Sequence, residues 1–389
     1  MINEVYCNPT TVYFGKGVIS ELPALLKKSV KKKALLVYGS KYLKGSGLYS
    51  QIAAAFQKAG VPFSELSGVL PNPRLGSVYQ GVKICKEEGI DFVLAAGGGS
   101  VIDAAKAIAL GALYDGDIWD AFTGKASPTD VLPLATILTI PGAGSESSIG
   151  CVITKEEGLI KTSYNGDFLR PVWSLLDPEW TYSLNPYLTA AGAADALAHC
   201  LERYFTNTQG VYLTDRLIES AMETLVRFTP VAIHEPGHYD ARAQIMWACK
   251  VAHDNSLATG REQDWASHGI EHELSAIYDV AHGAGLAVIF PAWMKYVYKH
   301  DVRRFAQYAN RVFGVPVDMD EEAMALEGIA RTEAFFRRIG MPVNLRELGT
   351  GSERIAEMAR KCCAAPHTTI GNFVKLGEKD VLAIYKLAE

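Results

Sequence analysis

The sequence predicts an α/β N-terminal domain followed by an all-helical C-terminal domain. Two observations support this prediction. In the first half, short apolar segments alternate with segments of helical periodicity, whereas from about Pro186 onward almost every segment carries apolar residues at helical spacing. We place the boundary at this change, which gives domains of residues 1–184 and 185–389. A chain of 389 residues also exceeds the ordinary size of a single domain.

The predicted strands of the first domain are short, apolar and bounded by glycine or proline. They lie at 34–38, at about 62–67, within the segment FVLAAGGGS (92–100), at 131–141 and at 172–178. Helices are predicted between them at 48–60, where Gly60 is the expected C-cap, at about 75–88, and after Ser100. Buried strands joined by helices indicate a parallel, doubly wound, Rossmann-like sheet with right-handed crossovers.

The second domain is predicted from repeated amphipathic helical segments. These segments include PYLTAAGAADALAHCLERYF, YLTDRLIESAMETLVRFT, DARAQIMWACKVAHDNSLATG, EEAMALEGIARTEAFFRRIG and GSERIAEMARKCC. In each of them, apolar residues recur three and four positions apart, which places them on one face of a helix.

Composition and charge exclude several classes of partner. The net charge is −5, which argues against nucleic acid or an anionic membrane as a ligand, since both require a basic surface. No apolar run reaches the length of a membrane span, and the N-terminus lacks the pattern of a signal peptide. Seven scattered cysteines without a CxxC pair fit a reducing compartment, so we expect a cytoplasmic protein.

A glycine-rich turn predicts a phosphate site in the first domain. Gly97, Gly98, Gly99 and Ser100 follow an apolar strand and begin a helix, so the backbone N–H groups and the positive end of the helix are open to an anion such as a pyrophosphate. The spacing differs from the dinucleotide fingerprint GxGxxG, and an ordinary tight turn is the alternative. Asp103 then faces the cofactor or substrate, or it pairs with Lys106, one turn along, or both side chains are solvated.

The end of the first strand bears on the choice of cofactor. Tyr38 is followed by Gly39, Ser40 and Lys41, and no acidic residue occurs between Val37 and Tyr49. A site for NAD usually places a carboxylate near the ribose 2′-hydroxyl, whereas a lysine suits a 2′-phosphate. The prediction is therefore NADP or NAD, with NADP slightly favoured. A solvated loop with surface lysines is the alternative.

Four side chains in the second domain predict a metal site. Asp195 and His199 lie four residues apart, as do His268 and His272, and His282 follows shortly after. Residues four apart share a helix face. Asp195, His199, His268 and His282 together offer one oxygen and three nitrogens, which suits Fe²⁺, Zn²⁺, Mn²⁺ or Co²⁺. Without a thiolate, the set fits a catalytic site better than a structural zinc site.

His272 has two possible roles at such a site. It lies one helical turn beyond His268, so it is either a fifth ligand or a group that moves protons beside the metal. We favour the proton-moving role, because a coordination sphere filled by protein would leave no position for a substrate. The other histidines keep an ordinary structural interpretation.

Ordered along the chain, several motifs resemble the iron-containing (metal-dependent) alcohol dehydrogenase family, in particular its butanol dehydrogenase and broad-range aldehyde reductase branch. The motifs are FGKG (14–17), PNP (71–73), GGGSVIDAAK (97–106), TIPGAGSES (139–147), LDP (176–178), GAADALAHCLE (192–202) and WASHGIEHELSAIYDVAHGAG (265–285). Together they span essentially the whole chain.

The resemblance assigns roles to the candidate residues. It implies that Asp195, His199, His268 and His282 bind a divalent metal, Fe²⁺ first and Zn²⁺ as the alternative, and that His272 helps to move protons. It also implies that Thr139 and Lys161 contact the cofactor, together with the glycine turn. The expected activity is hydride transfer between a nicotinamide cofactor and a small alcohol or aldehyde, by a homodimer.

Some residues depart from the family pattern, and other activities share the fold. Ala143 replaces a common threonine, Asn185 a common proline, and Glu271 a common small residue, where its charge could raise the pKa of His272. A dehydroquinate synthase-like or glycerol dehydrogenase-like NAD/zinc enzyme is the alternative on the same fold. A metal hydrolase and a nonenzymatic binding protein are further alternatives, and neither would need both the glycine turn and the complete ligand set.

Overall fold

The computed structural model describes residues 1–39, 41–364 and 368–389, and it includes no side-chain description for Lys41 and Tyr42. The predicted cofactor contacts Ser40 and the side chain of Lys41 therefore lie outside the described residues, as does His367. The chain forms two compact units. The α/β unit consists of Cys7–Leu184 and Pro236–Met246, and the helical unit consists of Met1–Tyr6, Asn185–Glu235 and Trp247–Glu389.

The strands of the described chain lie in the α/β unit. They are β1 (Thr11–Phe14), β2 (Ala34–Tyr38), β3 (Phe63–Leu66), β4 (Phe92–Gly98), β5 (Leu134–Ile140), β6 (Gly150–Lys155), β7 (Ile160–Asn165) and β8 (Trp173–Leu176).

The helices occur in both units. They are α1 (Leu22–Ser29), α2 (Lys41–Gly45), α3 (Leu48–Ala59), α4 (Leu75–Glu88), α5 (Gly99–Leu113), α6 (Trp119–Phe122), α7 (Pro186–Tyr204), α8 (Tyr212–His234), α9 (Tyr239–His253), α10 (Ala266–Tyr278), α11 (His282–Val297), α12 (Val302–Phe313), α13 (Glu321–Arg338), α14 (Leu345–Leu348), α15 (Ile355–Cys362) and α16 (Glu378–Leu387). Short 3₁₀ turns occupy Val18–Glu21, Asp167–Leu169, Pro178–Thr181, Ser256–Ala258 and Tyr298–His300. None of the described helices is long and apolar enough to span a bilayer.

Six strands form one parallel sheet in the order β1-β8-β5-β4-β2-β3. The chain passes from β2 to the edge strand β3 and returns on the other side of β2 to form β4. The strand order therefore reverses between β2 and β4. In parallel α/β sheets, ligands bind outside the carboxyl ends of the strands at such a reversal. The Rossmann-like sheet and the helical second half are both confirmed.

Alternate residues of the sheet pack into two cores, as the two-residue period of a strand requires. On one face, Leu35 and Val37 join the core that contains α4 and α5. On the other face, Leu36 and Tyr38 join the core that contains α1 and α3. Because both faces are covered by helices, the strands are apolar throughout. Gly60 takes the left-handed conformation at the C-cap of α3, as predicted.

Among the described strands of the α/β unit, β1 and the pair β6 and β7 were not predicted. The edge strand β1 has only four residues and is partly exposed, so its apolar signal is weak. Strands β6 and β7 form an antiparallel hairpin outside the parallel sheet, with Cys151 and Ile153 packed into the core beside α5. The hairpin is buried on one side only, and its polar positions resemble a loop in the sequence.

Helix α7 begins at a well-defined cap. The side chain of Asn185 accepts a hydrogen bond from the backbone N–H of Tyr187, and Pro186 occupies the first helical position. Asparagine is one of the preferred N-cap residues, which accounts physically for Asn185 in a position where the family commonly has proline. Helix α11 packs closely against α7. A Cβ at Gly283 would lie 1.9 Å from the carbonyl oxygen of Ala191, so only glycine fits at this contact.

Close packing of α4 against α5 generates a stability prediction. A Cβ at Gly111 of α5 would lie 2.6 Å from Cγ2 of Val82. We expect Gly111→Ala to lower the free energy of unfolding, because overpacking costs about 1–3 kcal/mol and exceeds the gain of about 0.5–1 kcal/mol from replacing a helical glycine. The measurement is the midpoint of urea unfolding. Gly76→Ala in α4 is the control, since a Cβ there meets nothing within 4 Å. Equal midpoints for the two variants would contradict the packing argument.

Candidate functional site

The glycine turn lies at the reversal of the sheet. Strand β4 runs to Gly98, and α5 begins at the next residue, Gly99. Gly39 follows β2 directly, so it lies at the carboxyl end of the neighbouring strand. The first N–H groups of a helix have no partner within the helix, and α5 has no side-chain cap among the described residues. The turn therefore offers backbone donors and a positive helix end to an anion.

Each glycine of the turn is required by a close neighbour. A Cβ at Gly97 would lie 2.6 Å from the Cβ of Val101, and one at Gly98 would lie 2.9 Å from the Cβ of Ile140. A Cβ at Gly99 would lie 2.6 Å from that of Ala143. Packing within the turn therefore requires glycine at these three positions, in addition to any requirement from the close approach of a ligand.

Asp103, Thr139 and Lys161 lie around this turn. The carboxylate of Asp103 accepts hydrogen bonds from Ser145 Oγ at 2.6 Å and from the backbone N–H of Val152 at 2.9 Å. Thr139 is buried in β5, next to β4, and Lys161 is buried in β7. Burial raises the pKa of Asp103, although nearby positive charge, including that of Lys161, opposes this shift. Asp103 thus anchors the segment that follows β5.

The ammonium of Lys106 is directed to backbone carbonyl oxygens, and its positive charge also acts on the carboxylate of nearby Asp103. Its ammonium is fully buried and donates hydrogen bonds to the carbonyl oxygens of Ser148 and Gly150, at 2.9 and 2.8 Å. Burial lowers its pKa to about 8. The side chain fixes the start of the β6–β7 hairpin to α5, a structural role.

The predicted metal ligands come from three helices of the helical unit. Asp195 and His199 lie one turn apart on α7, His268 lies in the first turn of α10, and His282 is the first residue of α11. Only three residues separate α10 from α11, and Asp279 takes a left-handed conformation to end α10. This sharp connection, together with packing of α11 on α7, places all four side chains in one region.

The four side chains share a focus at the carboxylate of Asp195. Its Oδ1 lies 3.6 Å from Nε2 of His199, 4.0 Å from Nε2 of His268 and 3.8 Å from Nε2 of His282. The ligating atoms of Asp195, His268 and His282 all lie within 4.8 Å of one another. The ring of His199 stacks on that of His268, with centroids 4.8 Å apart.

These distances fit a divalent transition metal. A tetrahedral ion with bonds of about 2.0–2.2 Å holds its ligand atoms about 3.3–3.6 Å apart. The separations from Asp195 are equal to that value or a few tenths of an ångström longer, so small side-chain movements would complete the coordination. One carboxylate oxygen and three imidazole nitrogens suit Fe²⁺ and Zn²⁺.

The charges of the site also fit a cation. The carboxylates of Asp195, Glu202 and Glu271 are buried together, and buried carboxylates are costly without positive charge. Burial and the neighbouring His253 hold the pKa of His199 well below its usual range, so this ring stays neutral, as a metal ligand must be. Burial raises the pKa of Glu202 to about 8, and a nearby cation would oppose that shift.

Glu202 and Glu271 contact two of the predicted ligands; Glu202 was not predicted, and Glu271 was expected only as a neighbour of His272. Glu202 Oε1 lies 2.8 Å from Nδ1 of His268, and a carboxylate oxygen of Glu271 contacts Nδ1 of His282. The sequence contains a weak indication of Glu202. Asp195, His199 and Glu202 have the spacing i, i+4, i+7, which makes a polar stripe along an otherwise apolar helix.

His272 lies beside the ligands. It is half-buried on α10, and its ring centroid is 5.5 Å from that of His282. The ligand atoms of Glu271, His272 and His282 also lie within 4.8 Å of one another. The carboxylate of Glu271, which was expected to influence His272, is therefore close to it, and it also contacts His282 and Ser275.

Aromatic rings enclose the site on the side of His199. The ring of His253, for which the sequence indicates only an ordinary structural role, lies against His199 in a tilted arrangement, with centroids 4.0 Å apart. The indole of Trp265 lies 5.0 Å from His268, and the guanidinium of Arg203 lies 4.8 Å from the centre of the Trp265 ring. This packing restricts the rotation of the ligand imidazoles.

Family models match both parts of the chain. Residues 9–178 match the model described as iron-containing alcohol dehydrogenase, and residues 189–388 match the C-terminal model of the Fe-containing alcohol dehydrogenase family.

Individual relatives match almost the whole chain. It is 39% identical to the NADH-dependent butanol dehydrogenase A of Clostridium acetobutylicum, over 99% of each chain. It is 35% identical to the NADPH-dependent aldehyde reductase YqhD of Escherichia coli, over 91% of each chain. A crystal structure of the NADH-dependent butanol dehydrogenase A of Thermotoga maritima superimposes with a TM-score of 0.97 at 38% identity, covering 100% of this chain and 99% of the other.

The shared focus of the four side chains predicts loss of metal from a single variant. We expect His268→Ala to lower metal content after dialysis at least tenfold, because it removes one of four donors. Metal is measured by elemental analysis of protein reconstituted with Fe²⁺ or Zn²⁺. Nucleotide binding should persist, since the glycine turn is unchanged. His234→Ala, at the exposed end of α8, is the control. Full metal content in His268→Ala would remove this residue from the ligand set.

Proposed function

This chain belongs to the iron-containing alcohol dehydrogenase family, and we propose that its two parts divide the work of binding. Residues 1–184 are proposed as the nucleotide-binding domain and residues 185–389 as the metal-binding domain. The position of the glycine turn at the reversal of the sheet supports the first assignment, and the clustered aspartate and histidines support the second.

The chain is a metal-dependent, NAD(P)-linked alcohol dehydrogenase or aldehyde reductase, an oxidoreductase that acts on CH–OH donors. The family models and the full-length relatives carry this conclusion. The alternative of a dehydroquinate synthase-like or glycerol dehydrogenase-like enzyme has no support from them. Within this class, a small aliphatic or aromatic aldehyde and its alcohol are the proposed substrates.

The proposed metal ligands are Asp195, His199, His268 and His282. One observation carries this proposal: the Nε2 atoms of the three histidines all lie within 4.0 Å of the same oxygen of Asp195. Fe²⁺ is the proposed ion, with Zn²⁺ as the alternative, because the donor set suits both and the family name refers to iron.

The chemistry is divided between the bound groups and the protein. When bound, the divalent ion supplies Lewis acidity towards an alcohol or carbonyl oxygen, and the nicotinamide supplies or accepts hydride. The side chains then have three tasks. The imidazoles present neutral Nε2 atoms, Asp195 supplies negative charge, and the enclosing rings of His253 and Trp265 limit access of water on one side.

His272 is the proposed proton carrier. It is half-buried beside His282, and an imidazole can hold or release a proton. Its position one turn along α10 from His268 keeps it near the ligands without requiring it to be one. The proton would move through an imidazole nitrogen of His272 towards solvent.

The proposed cofactor contacts are residues of the turn and its surroundings. They are Gly39, Ser40, Lys41, Gly97, Gly98, Gly99, Ser100, Asp103, Thr139 and Lys161. NADP(H) is the proposed preference, because Lys41 follows β2 and no acidic residue lies between Val37 and Tyr49. The named relatives include both NADH- and NADPH-dependent enzymes. A cytoplasmic homodimer is the proposed state of the protein.

The assigned activity is tested by initial rates on a panel of aldehydes. Protein reconstituted anaerobically with Fe²⁺ or Zn²⁺ should reduce short aliphatic and aromatic aldehydes with NADPH or NADH, since both a Lewis acid and a hydride donor are then present. Oxidation of the nicotinamide is followed by absorbance. The metal-free protein is the control and should show little turnover. Equal turnover without metal would contradict the metal-dependent mechanism.

Cofactor preference is tested at the loop after β2. We expect Lys41→Asp to shift the ratio of kcat/KM from NADPH towards NADH by at least tenfold, because a carboxylate repels a 2′-phosphate and accepts hydrogen bonds from a ribose hydroxyl. Lys58→Asp, an exposed change of the same charge at the end of α3, is the control. If both variants keep the wild-type ratio, Lys41 does not contact the 2′ position.

A further inference from the structure

Glu271 occupies an unusual place for a charged side chain. It is fully buried on α10, between the proposed ligand His268 and the start of α11. One carboxylate oxygen contacts Nδ1 of His282, and the other accepts a hydrogen bond from Ser275 Oγ, one turn along the same helix. Both oxygens therefore have defined partners, and the carboxylate has one orientation.

The opposite helix provides the space for this carboxylate. A Cβ at Gly285 of α11 would lie 2.5 Å from Oε1 of Glu271 and 2.8 Å from its Cγ. No side chain larger than hydrogen fits there unless Glu271 moves. Helix α11 thus carries His282 at its first residue and, three residues later, the glycine that admits the carboxylate behind that histidine.

The same arrangement occurs at a second ligand. Glu202 Oε1 lies 2.8 Å from Nδ1 of His268, and the backbone N–H groups of Trp265 and His268 also donate to this carboxylate. With a cation at the proposed site, both carboxylates are ionised and can only accept, so each partner Nδ1 carries the proton. The lone pair of each ring is then on Nε2, the atom directed towards Asp195.

We propose that Glu271 is a positioning residue for the metal site: it holds the Nδ1 proton of His282, fixes the tautomer and orientation in which Nε2 faces the ion, and adds negative charge that raises the basicity of the ligand. Glu202 does the same for His268. The inference rests on the proposed metal site and extends it to groups that do not touch the ion.

Glu271 is the better residue for a test. Glu202 also accepts from two backbone N–H groups at the start of α10, so its loss would disturb the helix as well as the histidine. Two substitutions separate the contributions of Glu271. Glu271→Gln keeps an oxygen that accepts from Nδ1 but removes the charge, whereas Glu271→Ala removes both.

A glycine variant provides an independent route to the same effect. Gly285→Ala should displace the Glu271 carboxylate without changing any polar group of the site.

Two control variants match the substitutions at Glu271 and Gly285. Glu273→Gln changes a carboxylate on the same helix that pairs with Lys361 at 2.9 Å. Gly269→Ala adds a methyl group on α10 that would meet only Ile370 Cδ1, at 3.8 Å.

The measurements are the affinity for Zn²⁺, by competition with a chromophoric chelator, and the visible absorption spectrum of the Co²⁺-loaded protein. We expect Glu271→Ala to weaken Zn²⁺ binding about 10–100-fold and to change the Co²⁺ bands, which report ligand geometry. Glu271→Gln should lie between wild type and Glu271→Ala, and Gly285→Ala should resemble Glu271→Ala. Both control variants should match the wild type. NADPH binding, followed by fluorescence, should be unchanged throughout.

Two results would overturn the proposal, and they are distinguishable. If the wild type binds Zn²⁺ tightly and Glu271→Ala and Gly285→Ala keep its affinity and Co²⁺ spectrum, the positioning role is wrong while the metal site stands. If the wild type itself binds neither ion, the metal site and the positioning role both fail. Should Glu271→Ala fold poorly, Glu271→Gln and Gly285→Ala carry the same comparison.

Discussion

Three imidazole nitrogens approach one carboxylate oxygen in the helical unit, and helices α7, α10 and α11 hold them there. Because burial disfavours both isolated carboxylates and protonated histidines, such a cluster is stable only when charges and hydrogen bonds are arranged in detail. Glu202 has both a structural role and a proposed role at the metal site. Its carboxylate accepts hydrogen bonds from the start of α10 and at the same time contacts Nδ1 of His268.

Small residues give the charged groups their positions. Gly283 allows α11 to approach the backbone of α7 at Ala191, which brings His282 to the aspartate and histidine of that helix. Gly285 leaves the space that Glu271 fills. Within its sixteen residues, α11 thus carries one proposed ligand and two glycines that allow close contact with α7 and with Glu271. Substitutions at these glycines would act on the chemistry of the site through packing, although neither carries a functional group.

The α/β unit differs in the kind of groups that it offers. Its proposed phosphate site consists of backbone groups, since the glycine turn offers N–H groups where the strand order reverses between β2 and β4. Two polar side chains of α5 hold the segments beside the turn. Asp103 holds the segment after β5 through Ser145 and Val152, and Lys106 holds the β6–β7 hairpin through carbonyl oxygens. The motif GGGSVIDAAK therefore contains both the turn and two of the side chains that stabilise its surroundings.

The sequence by itself determined the parallel sheet and the helical second half, because apolar periodicity is a local property. It also determined the shortlist of Asp195, His199, His268 and His282, from two pairs at i, i+4 spacing and a further histidine in the same motif as the second pair. Only the tertiary structure determined which carboxylates contact the proposed ligand histidines. Glu202 and His268 are 66 residues apart in sequence and 2.8 Å apart in space, and the space for Glu271 depends on a glycine of another helix. The β6–β7 hairpin was missed for the same reason, since its burial comes from α5. Contacts between distant segments depend on how helices pack, and no local pattern encodes them.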